Sequence, residues 1–172
     1  MTMYRGESGR GLDGELGGMK PLSGDEITAA FSKRDRKALK LPRSLDSIEW
    51  GDITYLSWLH PDGSKWFMVY NPLGELHGLV MEKVEAAGSS AKQCSLCDTT
   101  NAGDKIAQFV VRHALNRNIT IGTSMCSGLN CDDYVRGRKA PSIAAFSSHP
   151  TLEKRINALR SNLDSFFIRV LF

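Results

Sequence analysis

Residues 94–139 read CSLCDTTNAGDKIAQFVVRHALNRNITIGTSMCSGLNCDDYVRGRK and carry all four cysteines of the chain. They fall into two pairs, Cys94-Ser-Leu-Cys97 and Cys126-Ser-Gly-Leu-Asn-Cys131. Two short-spaced pairs of soft ligands are what a tetrahedral Zn²⁺ site requires. The first pair sets two sulfurs on one tight knuckle, and the second closes the tetrahedron from a distant part of the chain. Structural disulfides fit poorly, because no secretory signal is present and cytosolic thiols are kept reduced. A thioredoxin-like Cys-x-x-Cys would leave the second pair unexplained. Cys94, Cys97, Cys126 and Cys131 are therefore the expected metal ligands. Four cysteines leave no coordination position for water or substrate, so the expected cofactor is one structural zinc.

Between the pairs, Asp104 to His113 fits a strand or, by Ile106, Phe109, Val110 and His113, a helix. The strand is preferred, since Leu115 to Asn118 reads as a turn and Ile119 to Met125 is β-like. Cys126 and Cys131 are expected at or near the start of the next helix, where the dipole favours thiolate charge. Gly137 is its expected stop. Pro150 is expected in the first turn of a last helix. In that helix Leu152, Ile156, Leu159, Leu163, Phe166 and Val170 form an amphipathic stripe, widened by Phe167, Leu171 and Phe172. Those last three residues are the part that could be left over for a partner.

This order of knuckle, hairpin, second cysteine pair and Leu-rich final helix resembles the C-terminal treble-clef zinc finger of a known family. Its members are the elongation factor G-binding, fusidic-acid-resistance proteins, also called the fibronectin-binding-protein type. The resemblance runs from about Cys94 to the C-terminus. Beyond the cysteine spacings it rests on Gly122-Thr123 and on Tyr134-Val135-Arg136-Gly137. It implies zinc ligation by the same four cysteines. It further implies a cytoplasmic protein that binds elongation factor G and influences its release from the ribosome. Tyr134, Arg136, Arg138 and Lys139, at the end of the zinc helix, are the candidate partner contacts, Arg and Tyr being favoured interface anchors.

The remainder of the chain reads as follows. Residues 1–18 are rich in Gly and charge and are expected to be a disordered tail. Ser23 and Glu26 make a capping box ahead of a helix whose apolar face is Ile27, Ala30 and Phe31. Lys33, Arg34, Arg36, Lys37 and Lys40 follow with only Asp35 between them, a solvated face or an RNA-facing patch. Ile53–Leu59, Lys65–Tyr70 and Glu75–Val84 are rich in aromatic and branched residues, with Pro-containing turns between them. They predict a three-stranded antiparallel meander whose core takes Trp50, Trp58, Trp66, Phe67 and Tyr70. This strand-rich segment differs from the helical N-terminal domain of the fusidic-acid-resistance members. The expected class is α+β: an N-terminal domain at 19–86, a linker at 87–92, and the treble clef with its long helix at 93–172.

Composition excludes several functions. At 172 residues, 41% apolar and 24% charged, the chain suits an ordinary globular protein with no membrane span. The net charge of +3 lies in the zinc-bearing half, where residues 92–139 carry seven Lys/Arg against four Asp/Glu. That bias suits an acidic protein surface or a phosphate backbone, so a zinc module binding RNA or DNA is the alternative function. No phosphate loop, nucleophile elbow or His-Glu-x-x-His is present, and His60, His77, His113 and His149 are scattered. No catalytic residue is expected.

Overall fold

The computed structural model describes residues 17–84, 88, 90–143 and 150–172. The expected tail, apart from Gly17 and Gly18, lies outside the described residues, as do residues 87 and 89 of the expected linker. The first helix, α1 (Gly24–Ala30), starts at the expected capping box: the Ser23 hydroxyl accepts from the Glu26 N–H, and the Glu26 carboxylate accepts from the Ser23 N–H. Its apolar face buries Ile27, and Phe31 follows it into the core. Phe31 packs so closely on the sheet that a Cβ on Gly78 would lie 2.6 Å from its ring, so the strand position beneath it admits only glycine.

Three strands follow as the residue pattern predicts: β1 (Leu56–Leu59), β2 (Trp66–Tyr70) and β3 (His77–Val84). The short β4 (Lys92–Gln93) and β5 (Thr100–Asn101) pair across the first cysteine knuckle. The preferred strand assignment for the next segment holds, with β6 (Ile106–Arg112) and β7 (Thr120–Cys126) forming a hairpin in which Phe109 faces Thr123. The five long strands form one antiparallel sheet in the order β1-β2-β3-β6-β7.

The pairing of β3 with β6 joins the segments expected as two domains, with Met81 opposite Val111 and Val84 opposite Gln108. The core crosses the 87–92 boundary as well. Met68, Tyr70, Leu79 and Met81 share one buried cluster with Phe109, Val111, Met125, the cysteines and the last helix. Residues 19–86 keep a smaller cluster on the other sheet face, where Ile27, Phe31, Trp50, Phe67 and Val69 pack together. The aromatic residues expected in one core thus divide by strand alternation, Phe67 to one face and Trp66 and Tyr70 to the other.

The helix after the second cysteine pair, α2 (Cys131–Val135), ends at Gly137, whose φ of +74° is the left-handed conformation expected of a C-terminal glycine. The last helix, α3 (Leu152–Leu171), is capped by Thr151, which accepts from the Lys154 N–H. Pro150 lies just before this cap, outside the first turn where it was expected. Ile156, Leu159, Leu163, Phe166 and Val170 are buried as their spacing predicts. Phe167 is also fully buried, so it belongs to the core and not to a surface left for a partner, whereas Phe172 is exposed.

Candidate metal centre

The four cysteines converge where β4, β7 and α2 meet. Cys94 and Cys97 flank the knuckle, which turns through Asp98 at a φ of +58° and closes with the Asp98 N–H donating to the Cys94 carbonyl. Two N–H groups, of Leu96 and Cys97, point at the Cys94 sulfur at 3.4 and 3.5 Å and stabilise negative charge there. Cys126 is the last residue of β7 and Cys131 the first of α2. Cys131 therefore occupies the helix start at or near which both were expected, and Cys126 lies five residues before it at the end of the strand. The intervening loop turns through Leu129 at a φ of +47°.

All four Sγ atoms lie within 4.8 Å of one another, with Cys94 to Cys131 and Cys97 to Cys126 both at 3.6 Å. A tetrahedral ion with Zn–S bonds of about 2.3 Å sets its sulfurs about 3.8 Å apart, so the spacing fits zinc. No two of the four form a disulfide. Hydrogen bonds from Cys126 and Cys131 hold the Cys94 and Cys97 thiols below the ordinary thiol value. Cys131 is pushed well above it by its bonds to Cys126 and Cys94 and by burial. Thiols this close share protons, and a divalent cation displaces those protons on binding. Cys94, Cys126 and Cys131 are buried and Cys97 is half-buried. The donor set is complete without solvent, and the single zinc it holds is structural.

Residues outside the cysteine stretch hold this centre in place. The Tyr55 hydroxyl donates to the Leu129 carbonyl at 2.7 Å and accepts from the Cys131 N–H at 3.3 Å. Burial first, then the neighbouring Cys131, pushes the Tyr55 phenol well above its ordinary value, so it stays neutral. Asp132 accepts from both the N–H and the hydroxyl of Thr54, each at 2.7 Å, and from the Arg136 Nε at 3.2 Å. On the opposite side, the Asn162 side chain of α3 donates to the Leu96 carbonyl at 2.8 Å. Thr54, Tyr55, Asp132 and Asn162 were not singled out from the sequence. A Thr or Tyr between β-forming residues carries no local mark of a partner 78 or 76 positions away.

The four expected partner contacts separate in the structure. Arg136 turns inward onto Asp132, its side chain 7% exposed, so it braces α2 and does not project. Arg138 and Lys139 point outward and both pair with Asp133, at 2.9 and 3.4 Å. Partial burial opposes ionisation of Asp133, but the Arg138 and Asn130 hydrogen bonds outweigh it and hold the carboxyl below its ordinary value. Tyr134 is half-buried beside them. With Lys105, Gly128 and Lys139 it lines an open concavity of about 460 Å³.

The family model of the FBP C-terminal treble-clef zinc-finger matches residues 27–170. The chain belongs to this family. The match begins well before Cys94, so the strand-rich segment from β1 to β3 is part of the family pattern and not a departure from it. No curated protein matches the chain. Among solved structures, that of the fusidic acid resistance protein FusC superposes with a TM-score of 0.56 at 17% identity. At that identity the likeness is one of fold. The superposition covers 89% of this FBP-type chain and 60% of FusC, so the chain spans about three fifths of that protein's length. Among the described residues, no helix is long and apolar enough to cross a membrane.

Proposed function

We propose that this protein is a non-enzymatic, cytoplasmic, zinc-stabilised module that binds elongation factor G and alters its residence on the ribosome. The observation that carries the reading is the family match over residues 27–170, supported by the fold shared with a fusidic acid resistance protein. The closed tetrathiolate agrees with it, because such a metal orders a surface and takes no part in chemistry. Binding alone accounts for the action: a protein that prefers the released conformation of its partner shifts the population toward release.

The contact surface is the outer end of α2, where Tyr134 and Lys139 border the concavity beside Lys105 and Arg138 lies next to them, paired with Asp133. Asp133 gathers both cations on one side of the helix end, and an acidic patch on the partner would compete with it for them. Calorimetric titration of the zinc-loaded protein into elongation factor G tests the assignment. A one-to-one isotherm that weakens by about tenfold or more on joint charge reversal, Arg138→Glu with Lys139→Glu, is the expected result. Unchanged affinity in the double variant would remove this surface from the proposal. Binding to bare RNA with a steep salt dependence, and none to the factor, would replace the partner.

A further inference from the structure

The sheet face opposite α3 is only half covered. Over β1 to β3 the N-terminal helix packs Ile27 and Phe31 onto Phe67, Val69, Gly78 and Val80, while toward β6 and β7 the same face presents Val110 and Thr120 beside Glu82. At the junction runs an open groove made of two adjoining hollows of about 230 and 540 Å³ that share Arg34, Val80, Arg112 and Arg117. Four cations from separate parts of the chain line the smaller hollow. Arg34 comes from the basic run after α1, Lys65 from the turn before β2, and Arg112 and Arg117 from the β6–β7 hairpin. Two carboxylates, Asp35 and Glu82, face them.

Of these cations, Arg112 donates from Nη1 to the Arg117 carbonyl at 3.1 Å. Arg117 approaches Asp35 only to 3.8 Å, a long ion pair, and its buried Nε has no hydrogen-bond partner among the described residues. The Arg117 side chain is 37% exposed, so its outer nitrogens can meet a carboxylate that enters the groove. The larger hollow continues the groove onto an aliphatic floor that includes Ala30, Val80, Ala114 and Leu171. Phe31, the aromatic residue in its wall, is fully buried. Only the His77 imidazole, 26% exposed, offers an aromatic face in the larger hollow, too little for a run of stacked bases.

We propose that this groove is a second binding site, which takes an extended peptide segment of mixed acidic and aliphatic character. Its carboxylates meet Arg34, Arg112 and Arg117, and its aliphatic side chains lie on Val80 and Leu171. The site shares no residue with the outer end of α2. Lys105 immediately precedes β6 and Arg112 ends it, so the length of the strand, about 20 Å at the rise of an extended chain, separates them. The two surfaces can therefore be occupied together, and the groove stands or fails independently of the partner assigned to the zinc helix.

The test uses the zinc-loaded full chain, a fluorescein-labelled ten-residue peptide of alternating Glu and Leu, and a labelled single-stranded uridine decamer. The expected result is saturable anisotropy with the peptide, with methyl NMR shifts at Val80, Val110 and Leu171. Binding should weaken by about tenfold or more in Arg112→Glu and in Arg34→Glu. Arg34 is exposed at the groove rim, so its variant keeps the test valid if the hairpin tolerates substitution poorly. Arg138→Glu at the zinc helix should leave peptide binding unchanged. The proposal is overturned if the uridine decamer binds more tightly than the peptide, if shifts map to α2, if rim reversal has no effect, or if no binding occurs at millimolar peptide.

Discussion

Asp132 is the residue on which the attachment of the zinc helix to the sheet most depends. Its two oxygens satisfy the backbone and hydroxyl of Thr54 and the Arg136 guanidinium, in a site where the acid and the arginine side chains are 8% and 7% exposed. Removing one member of a buried charged pair strands the other. Asp132→Ala should therefore lower unfolding stability by about 3–5 kcal/mol in urea titrations of the zinc-loaded protein. Asp132→Asn, which keeps acceptor and shape, should cost less. Tyr55 supports the same junction, and burial raises its phenol, as it does that of Tyr70 with the help of the Asp164 charge. Between the ordinary phenol value of about 10 and these raised values the folded state binds more protons than the unfolded one, so stability falls as pH rises. Thermal melts should show this loss beginning above about pH 10, with a shallower slope in Tyr55→Phe. At this scale the cysteines were legible, since paired spacing is a local mark of a metal knuckle. Asp132 was not, because at the start of a helix an acidic residue is equally explained by the dipole, and its true partner is remote in sequence.

Among the elements, α3 and the meander were legible for the same reason: a periodic apolar pattern survives whatever it packs against. The period named the stripe but not its width. Phe167 lies one step off the stripe and is nonetheless buried against Tyr70 and Phe166, their ring centroids at 5.4 and 5.9 Å, because at i+4 from Leu163 it still faces the sheet. Phe167→Ala should cost about 3–5 kcal/mol, whereas exposed Phe172→Ala should stay within about 0.5 kcal/mol, both read from denaturant midpoints. Equal effects would contradict the placement of α3. The inward turn of Arg136 was hidden for a different reason. A Tyr-Val-Arg-Gly-Arg-Lys helix end looks uniformly exposed until Asp132 of the same helix, held by Thr54 ahead of β1, draws Arg136 inward.

For the whole molecule, sequence pattern suggested two units because a stretch of small residues separates a meander from a cysteine-rich finger. Composition reports chain stiffness but not strand pairing, and β3 pairs with β6 across that stretch. The zinc centre therefore sits at the edge of a core that both segments build, with Trp66 packed against the same cluster as the four cysteines. Structural zinc contributes on the order of 10–16 kcal/mol in small fingers, more than the whole stability of an ordinary domain of 5–15 kcal/mol. The metal is thus a condition for the entire sheet and for every surface built on it. The direct test is stepwise chelation, with released zinc, near-ultraviolet circular dichroism of the tryptophans and far-ultraviolet signal followed together. One zinc per chain should leave in a single transition that also removes the tryptophan signal and most of the sheet. Release of zinc with the tryptophan and strand signals intact would contradict it.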